Sequence, residues 1–189
     1  MAIVFRSIFY ISLLLPPLLA QAGTKIAGVE LPDSYRIDQQ ALLLNGAGVR
    51  SKMFVKVYVA ALYVGETSNS PAAILAAPGA KSMQMTMLYK EVEAGKITQG
   101  WNDGFSANLT NAELEPLKQR LEKFNALFPP LYKGDIVRMD YSPGTGTLLS
   151  INDRQLGHIE GADFFAALLK VWIGEQPVDK NLKKGLLGD

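Results

Sequence analysis

The 189-residue chain contains no cysteine. Disulfides, thiolate nucleophiles and sulfur-ligated metals are thereby excluded, and the fold must rest on an apolar core. One histidine, His158, is too few for a histidine-based metal site. Its neighbours Gly157, Ile159 and Gly161 place it near a strand end, where a structural or surface role is expected. The sequence holds no Gly-x-Ser-x-Gly elbow, Walker loop or dinucleotide fingerprint; Gly144-Thr145-Gly146-Thr147 falls between strands and is expected to be a turn. Excess charge is missing too, since 19 Lys and Arg face 18 Asp and Glu. Such a balance offers no basic field for nucleic acid or an anionic membrane. No metal or cofactor is implied.

A long apolar run lies at the N-terminus, from Ile8 to Leu19, interrupted by Tyr10, Ser12 and Pro16-Pro17. It is too short and too broken for a permanent membrane span. Arg6 precedes it and the A-x-A pattern Ala20-Gln21-Ala22 follows, so residues 1–22 are expected to be an export signal. No cysteine precedes Gly23 to carry an acyl anchor. The expectation is an exported protein, periplasmic in a Gram-negative cell, with residues 23–189 as its one domain and no stable membrane span after cleavage.

Within that domain, Lys25–Leu31 and Tyr35–Leu44 have strand character around the turn Pro32-Asp33-Ser34. Met53–Val64 is a longer β-rich segment whose imperfect alternation predicts burial on both faces or a bend at Ala60-Ala61. Ser70-Pro71 starts a two-turn helix that Ala77-Pro78-Gly79 stops. Along Lys81–Tyr89 strict alternation puts Met83, Met85 and Met87 on one face. Such a row suits core packing, and it can also conform to a flexible lipid chain. Helices are predicted over 93–109 and 112–127, capped at Thr110-Asn111, then strands over 135–142, 147–151 and 155–159, and a nearly all-apolar helix over 161–173. Trp101 and Trp172 are expected to anchor the core, while Asn102 and Asn108 are divided between a cleft and capping or surface roles. Antiparallel strands with helices collected between them predict an α+β class.

The most informative stretch is Leu43-Leu44-Asn45-Gly46-Ala47-Gly48-Val49-Arg50, where two glycines suggest a tight turn that delivers Arg50 onto the β-rich segment. A guanidinium beside an apolar sheet can hold a carboxylate or an enolate, or simply be a surface arginine. This stretch, with Lys56-Val57-Tyr58-Val59-Ala60-Ala61-Leu62-Tyr63-Val64 and the distant Trp172-Ile173-Gly174-Glu175-Gln176-Pro177-Val178 and Leu182-Lys183, resembles the chalcone isomerase-like family. The resemblance covers roughly residues 25–187. It implies an open-faced β-sandwich, a large antiparallel sheet covered by helices with a ligand cleft between them.

The family includes isomerases that close chalcones into flavanones and fatty-acid-binding relatives, so two roles for Arg50 follow from the resemblance. In the isomerases the matching arginine stabilises an enolate; in the fatty-acid binders it holds a carboxylate together with a tyrosine. Tyr58 stands where the isomerases have a threonine in Lys-Phe-Thr-Ala, as in the binders. Val171 replaces a polar threonine, and 101–131 lacks the tyrosine that the isomerases place between two helices. The expected function is therefore binding of a small amphipathic acid such as a fatty acid by Arg50, Tyr58, Met83, Met85 and Met87. The alternatives are an intramolecular lyase or isomerase using Arg50 on a flavonoid-like enone, and a periplasmic assembly factor without a cleft. One geometric condition applies. On a straight strand at about 3.3 Å per residue Arg50 and Tyr58 would be roughly 26 Å apart, so either the chain reverses near Ser51-Lys52 or the pair is no site.

Overall fold

The structure, a computed structural model, describes residues 23–188. The expected export signal, residues 1–22, lies outside them.

The chain opens with a hairpin of β1 (Gly23–Ile26) and β2 (Val29–Pro32). Then come β3 (Ser34–Ile37), β4 (Gln40–Lys52), β5 (Val55–Val64), α1 (Pro71–Ala76), β6 (Lys81–Met87) and the short β7 (Glu91–Val92). The helical layer follows as α2 (Ala94–Asn108), α3 (Asn111–Leu114) and α4 (Lys118–Asn125), with β8 (Leu131–Tyr132) pairing back to β7. The chain closes with β9 (Ile136–Ser142), β10 (Gly146–Ile151), β11 (Arg154–Ile159), α5 (Ala162–Ile173) and α6 (Lys180–Leu186).

Seven strands form one antiparallel sheet in the order β11-β10-β9-β6-β5-β4-β3. Its central strands are buried on both faces because each face has its own cover. Tyr58, Ala60, Leu62 and the row Met83, Met85, Met87 turn toward the helices, while Val59, Ala61 and Tyr63 turn toward the β1–β2 hairpin. This double burial explains the imperfect alternation of β5, whose pairing with β6 runs unbroken from Tyr58 to Val64. Trp172, Phe105, Phe124 and Phe164 are fully buried between sheet and helices. On the hairpin side, the half-buried Asp140 carboxylate accepts hydrogen bonds from Tyr35 Oη at 2.9 Å and Ser82 Oγ at 2.5 Å. The α+β open-faced sandwich is as expected.

Local signals hold where capping and turn chemistry are explicit. Ser70 caps α1, Thr110 and Glu113 form a reciprocal capping box, and Asn152-Asp153 makes the β10–β11 turn with φ of 49° and 65°. The segment Lys25–Leu31 is not one strand but part of the β1–β2 hairpin, turned at Ala27-Gly28, and Tyr35–Leu44 reverses at Asp38-Gln39 between β3 and β4, with positive φ at Ala27, Gly28 and Asp38. Further expectations are corrected. The helix predicted over 112–127 is broken by a 3-10 turn at Glu115–Leu117, where Pro116 has no N–H to continue the α-helical ladder. The C-terminal α6 was not predicted; Asp179 caps it through two backbone N–H groups, and it buries Leu182 and Leu186.

A last correction concerns Gly46 and Gly48, which lie inside β4 rather than in a turn. They admit α6. A Cβ at Gly46 would lie 2.2 Å from the Gly185 carbonyl oxygen, and one at Gly185 would lie 2.5 Å from that of Ala47. The pairing of β4 with β5 is irregular twice, at a bulge at Asn45, whose side chain bonds the backbone of Ser68 and of Leu186, and next to Arg50, where Val57 is skipped between the pairs Arg50–Tyr58 and Ser51–Lys56. The true reversal is the two-residue loop Met53-Phe54, because Lys52 pairs with Val55.

Candidate functional site

That reversal decides the position of Arg50. It becomes the cross-strand partner of Tyr58, in register despite their separation along the chain. The guanidinium carbon lies 5.5 Å from the centroid of the Tyr58 ring, a cation–π arrangement. Below it, Tyr58 Oη accepts a hydrogen bond from Trp172 Nε1 at 3.0 Å. Burial pushes the phenol's pKa up, against the opposing charge of Arg50 and the Trp172 hydrogen bond, so the group stays a neutral hydroxyl. Its own proton meets no acceptor among the described residues. Arg50 and Tyr58 thus present one cationic donor and one neutral donor side by side.

Both line a recess between sheet and helices, about 60 Å³ in volume, walled by Met85, Met87, Ile97, Trp101, Leu131 and Val171. Arg50 also faces an outer groove of about 380 Å³, bounded by Lys52, Met53, Val55, Tyr89 and Val92. Val57, Val92 and Lys96 border both spaces, so the recess is the inner end of the groove with Arg50 at the junction. The groove falls within the range of roughly 300–1,000 Å³ typical of small-molecule sites. The recess has room for the end of a chain.

Of the expected site residues, Arg50, Tyr58, Met85 and Met87 come together here. Met83 does not line the cavity: it is fully buried, paired across the sheet with Leu62 and Met139. Its alternation is that of Met85 and Met87, but it sits deeper along β6, beneath the packed helices. Trp101 is both core anchor and wall, 5.5 Å from Trp172 between ring centroids. Sequence reasoning missed Lys96, Ile97 and Gly100, although with Trp101 they recur at the i, i+4 spacing that marks one helix face. At Gly100 a Cβ would meet nothing within 4 Å.

The remaining candidates are engaged elsewhere. Asn108 bonds Gly104 and both backbone groups of Gln176, and Asn102 accepts from Asn125 across α2 and α4. Lys183 Nζ donates to the Gly174 carbonyl at 2.8 Å. The C-terminal motif is therefore mainly a set of structural ties, from which Trp172 and Val178, with the preceding Val171, reach the site. His158 lies on the edge strand β11, five strands from β4. Among the described residues no group of three or more His, Asp and Glu is placed to hold a metal. A larger depression of about 720 Å³ near α1 and α5 is lined by Asn108, Glu113, Lys170 and Lys183, but these polar groups already bond one another or nearby backbone.

The recess can hold an apolar tail, and its rim can bind an anion. Arg50 alone supplies a forked set of N–H donors there; the recess itself is lined by no carboxylate, and Glu91 is the one acid bordering the outer groove.

Comparison with known proteins agrees with this architecture. Residues 23–188 match the family described as chalcone isomerase-like. The crystal structure of a fatty-acid binding protein from Arabidopsis thaliana superposes with a TM-score of 0.65 at 15% identity, covering 85% of this chain and 92% of that one. At that identity the likeness establishes the fold. No curated protein sequence matches this chain. Among the described residues no helix is long and apolar enough to cross a membrane.

Proposed function

Because this chain belongs to the chalcone isomerase-like family, we propose that it binds a small amphipathic acid, such as a fatty acid, by the junction of recess and groove. The observation that carries this reading is Arg50 beside the free hydroxyl proton of Tyr58, at the edge of an apolar space bordered by two methionines. The carboxylate takes the guanidinium and the phenol, and the tail enters between sheet and helices. Met85 and Met87 are the walls best able to give way to a tail larger than the recess. The fatty-acid-binding role of the Arabidopsis protein with the same fold supports the choice of ligand class. Export by residues 1–22 would place this binding outside the cytoplasm, and is part of the proposal.

A titration with a fluorescent fatty acid tests the reading, with Trp101 in the recess wall as a second probe. Saturable binding with a change in tryptophan emission is expected, and no binding would overturn the proposal. Following chalcone absorbance in the same preparation addresses the isomerase alternative. Acceleration abolished by Arg50→Ala would replace binding with catalysis.

A further inference from the structure

The loop between β4 and β5 is made of two large apolar residues that the fold does not use. Met53 and Phe54 are 87% and 102% exposed, and neither belongs to a hydrophobic cluster. Met53 also holds a φ of 54°, a left-handed conformation in which glycine is the unstrained choice for a two-residue hairpin loop. A turn here needs neither bulk nor hydrophobicity. These side chains cost solvation and backbone strain and gain no packing within the folded chain.

The loop has company. Val55, Tyr89 and Tyr132 are about half exposed, Met53, Val55 and Tyr89 border the outer groove together, and Tyr132 pairs with Glu91 beside it. Each apolar group adjoins a lysine: Lys52 and Lys56 flank the loop, Lys90 follows Tyr89, and Lys133 follows Tyr132. Lys133 N donates to the Lys90 carbonyl, which brings the last two together. Among the described residues none of these four lysines forms an ion pair. The acids at this end are mostly engaged: Glu93 with Lys96, Asp135 with Tyr132 N and Asn152, Asp153 with Arg138, Asp179 with Ser51 N. Glu91 is the remaining acid on the rim.

We infer that this end of the molecule docks on an anionic phospholipid bilayer. Met53 and Phe54 enter between the headgroups, the lysines meet lipid phosphates, and Tyr89 and Tyr132 lie at the interface. The two side chains stand almost fully exposed at the end of the longest strand of the sheet, which suits insertion into a fluid layer. The balanced charge of the whole chain does not oppose this, because charge acts over about 10 Å at ordinary ionic strength and the lysines are local. Docking stands on the loop and its lysines alone. Its coupling to acyl-acid uptake rests on the proposed function, since the groove faced by Arg50 opens between the same residues.

The absence of native cysteine allows the full chain to be labelled at single sites. Phe54→Cys, and Thr145→Cys in the β9–β10 turn at the opposite end of the sheet, each carry an environment-sensitive NBD group. Each protein is titrated with phosphatidylcholine vesicles with and without phosphatidylglycerol. With phosphatidylglycerol, emission from position 54 should shift blue and rise severalfold while position 145 stays unchanged. Lys52→Glu combined with Lys56→Glu should weaken vesicle binding at least about tenfold. Wet emission from position 54 on anionic vesicles overturns the inference. So does an equal response at both sites, which means attachment by another part of the chain. A concentration-dependent blue shift without vesicles overturns it in favour of a second copy of the protein. Fatty-acid titration without vesicles is read separately, so a protein that binds the acid but leaves position 54 wet contradicts docking alone.

Discussion

Arg50 and Tyr58 face each other across the β4–β5 hairpin, with the guanidinium carbon 5.5 Å from the phenol ring centroid and Trp172 Nε1 bonded to the hydroxyl from behind. Strand pairing set by the Met53-Phe54 loop, not a turn at Gly46 and Gly48, holds the arginine over the apolar recess. The α5 helix then fixes the tyrosine through its tryptophan.

Tyr58→Phe removes the acceptor of a buried indole N–H. Leaving such a donor unsatisfied costs about 1–3 kcal/mol. The urea midpoint should fall with little change in slope, because the exposed surface of the unfolded state is unaltered. Binding of the acid should also weaken, since the ligand loses the hydroxyl proton while the ring beneath Arg50 remains.

Gly100 offers a way to close the recess without disturbing the fold. Nothing lies within 4 Å of a Cβ at this helical position. Gly100→Ala should stabilise the protein by about 0.5–1 kcal/mol through helix propensity. Gly100→Leu should keep the thermal midpoint near that of the wild type but reduce fatty-acid affinity by filling the space. Unchanged affinity in a folded Gly100→Leu protein would place the tail elsewhere.

The opposite result is expected at Gly46, where a Cβ would lie 2.2 Å from backbone oxygen. Gly46→Ala should destabilise by about 1–3 kcal/mol as α6 is forced away from β4. Gly95→Ala, with open space around its Cβ, is the matched control and should be neutral or stabilising. Chemical denaturation of the pair separates close packing from backbone flexibility.

On the hairpin side of the sheet, burial raises the pKa of Asp140, against the lowering effect of the Ser82 and Tyr35 donors and the Arg138 charge. A raised folded-state pKa means that the folded protein holds this proton more tightly than the unfolded chain. Its stabilising contribution is complete below the ordinary carboxylate value of about 3.9 and is lost as pH rises through the folded-state value. The stability difference between wild type and Asp140→Asn should therefore turn against the wild type as pH rises above that value, then level off. Urea midpoints measured across that range check the sign.

The sequence made the scaffold readable wherever one strong local rule decided the outcome. The alternation of Met83, Met85 and Met87, the proline at the start of α1 and the Thr110–Glu113 capping box are such cases. Gly46 and Gly48 misled because glycine serves equally for turns and for close backbone contact, and the contact was with a helix at the far end of the chain. The pairing of Arg50 with Tyr58 needed the position of one two-residue loop, which Met53-Phe54 does not advertise. Met83 was separated from its neighbours only by depth under the helices, a tertiary property absent from a two-residue period. Lys96, Ile97, Gly100 and Trp101 were legible as a helix face, but nothing local showed that the face borders a cavity.

The central claim is that Arg50 recognises the acidic head of an amphipathic ligand. It is tested most directly by titrating wild type and Arg50→Ala with a medium-chain fatty acid and with the alcohol of the same length. A hydrogen bond to a charged partner contributes about 1.5–3 kcal/mol, so the wild type should prefer the acid by roughly ten- to a hundredfold. In Arg50→Ala that preference should collapse while the alcohol binds about as before. An acid preference that survives intact in Arg50→Ala would contradict the account.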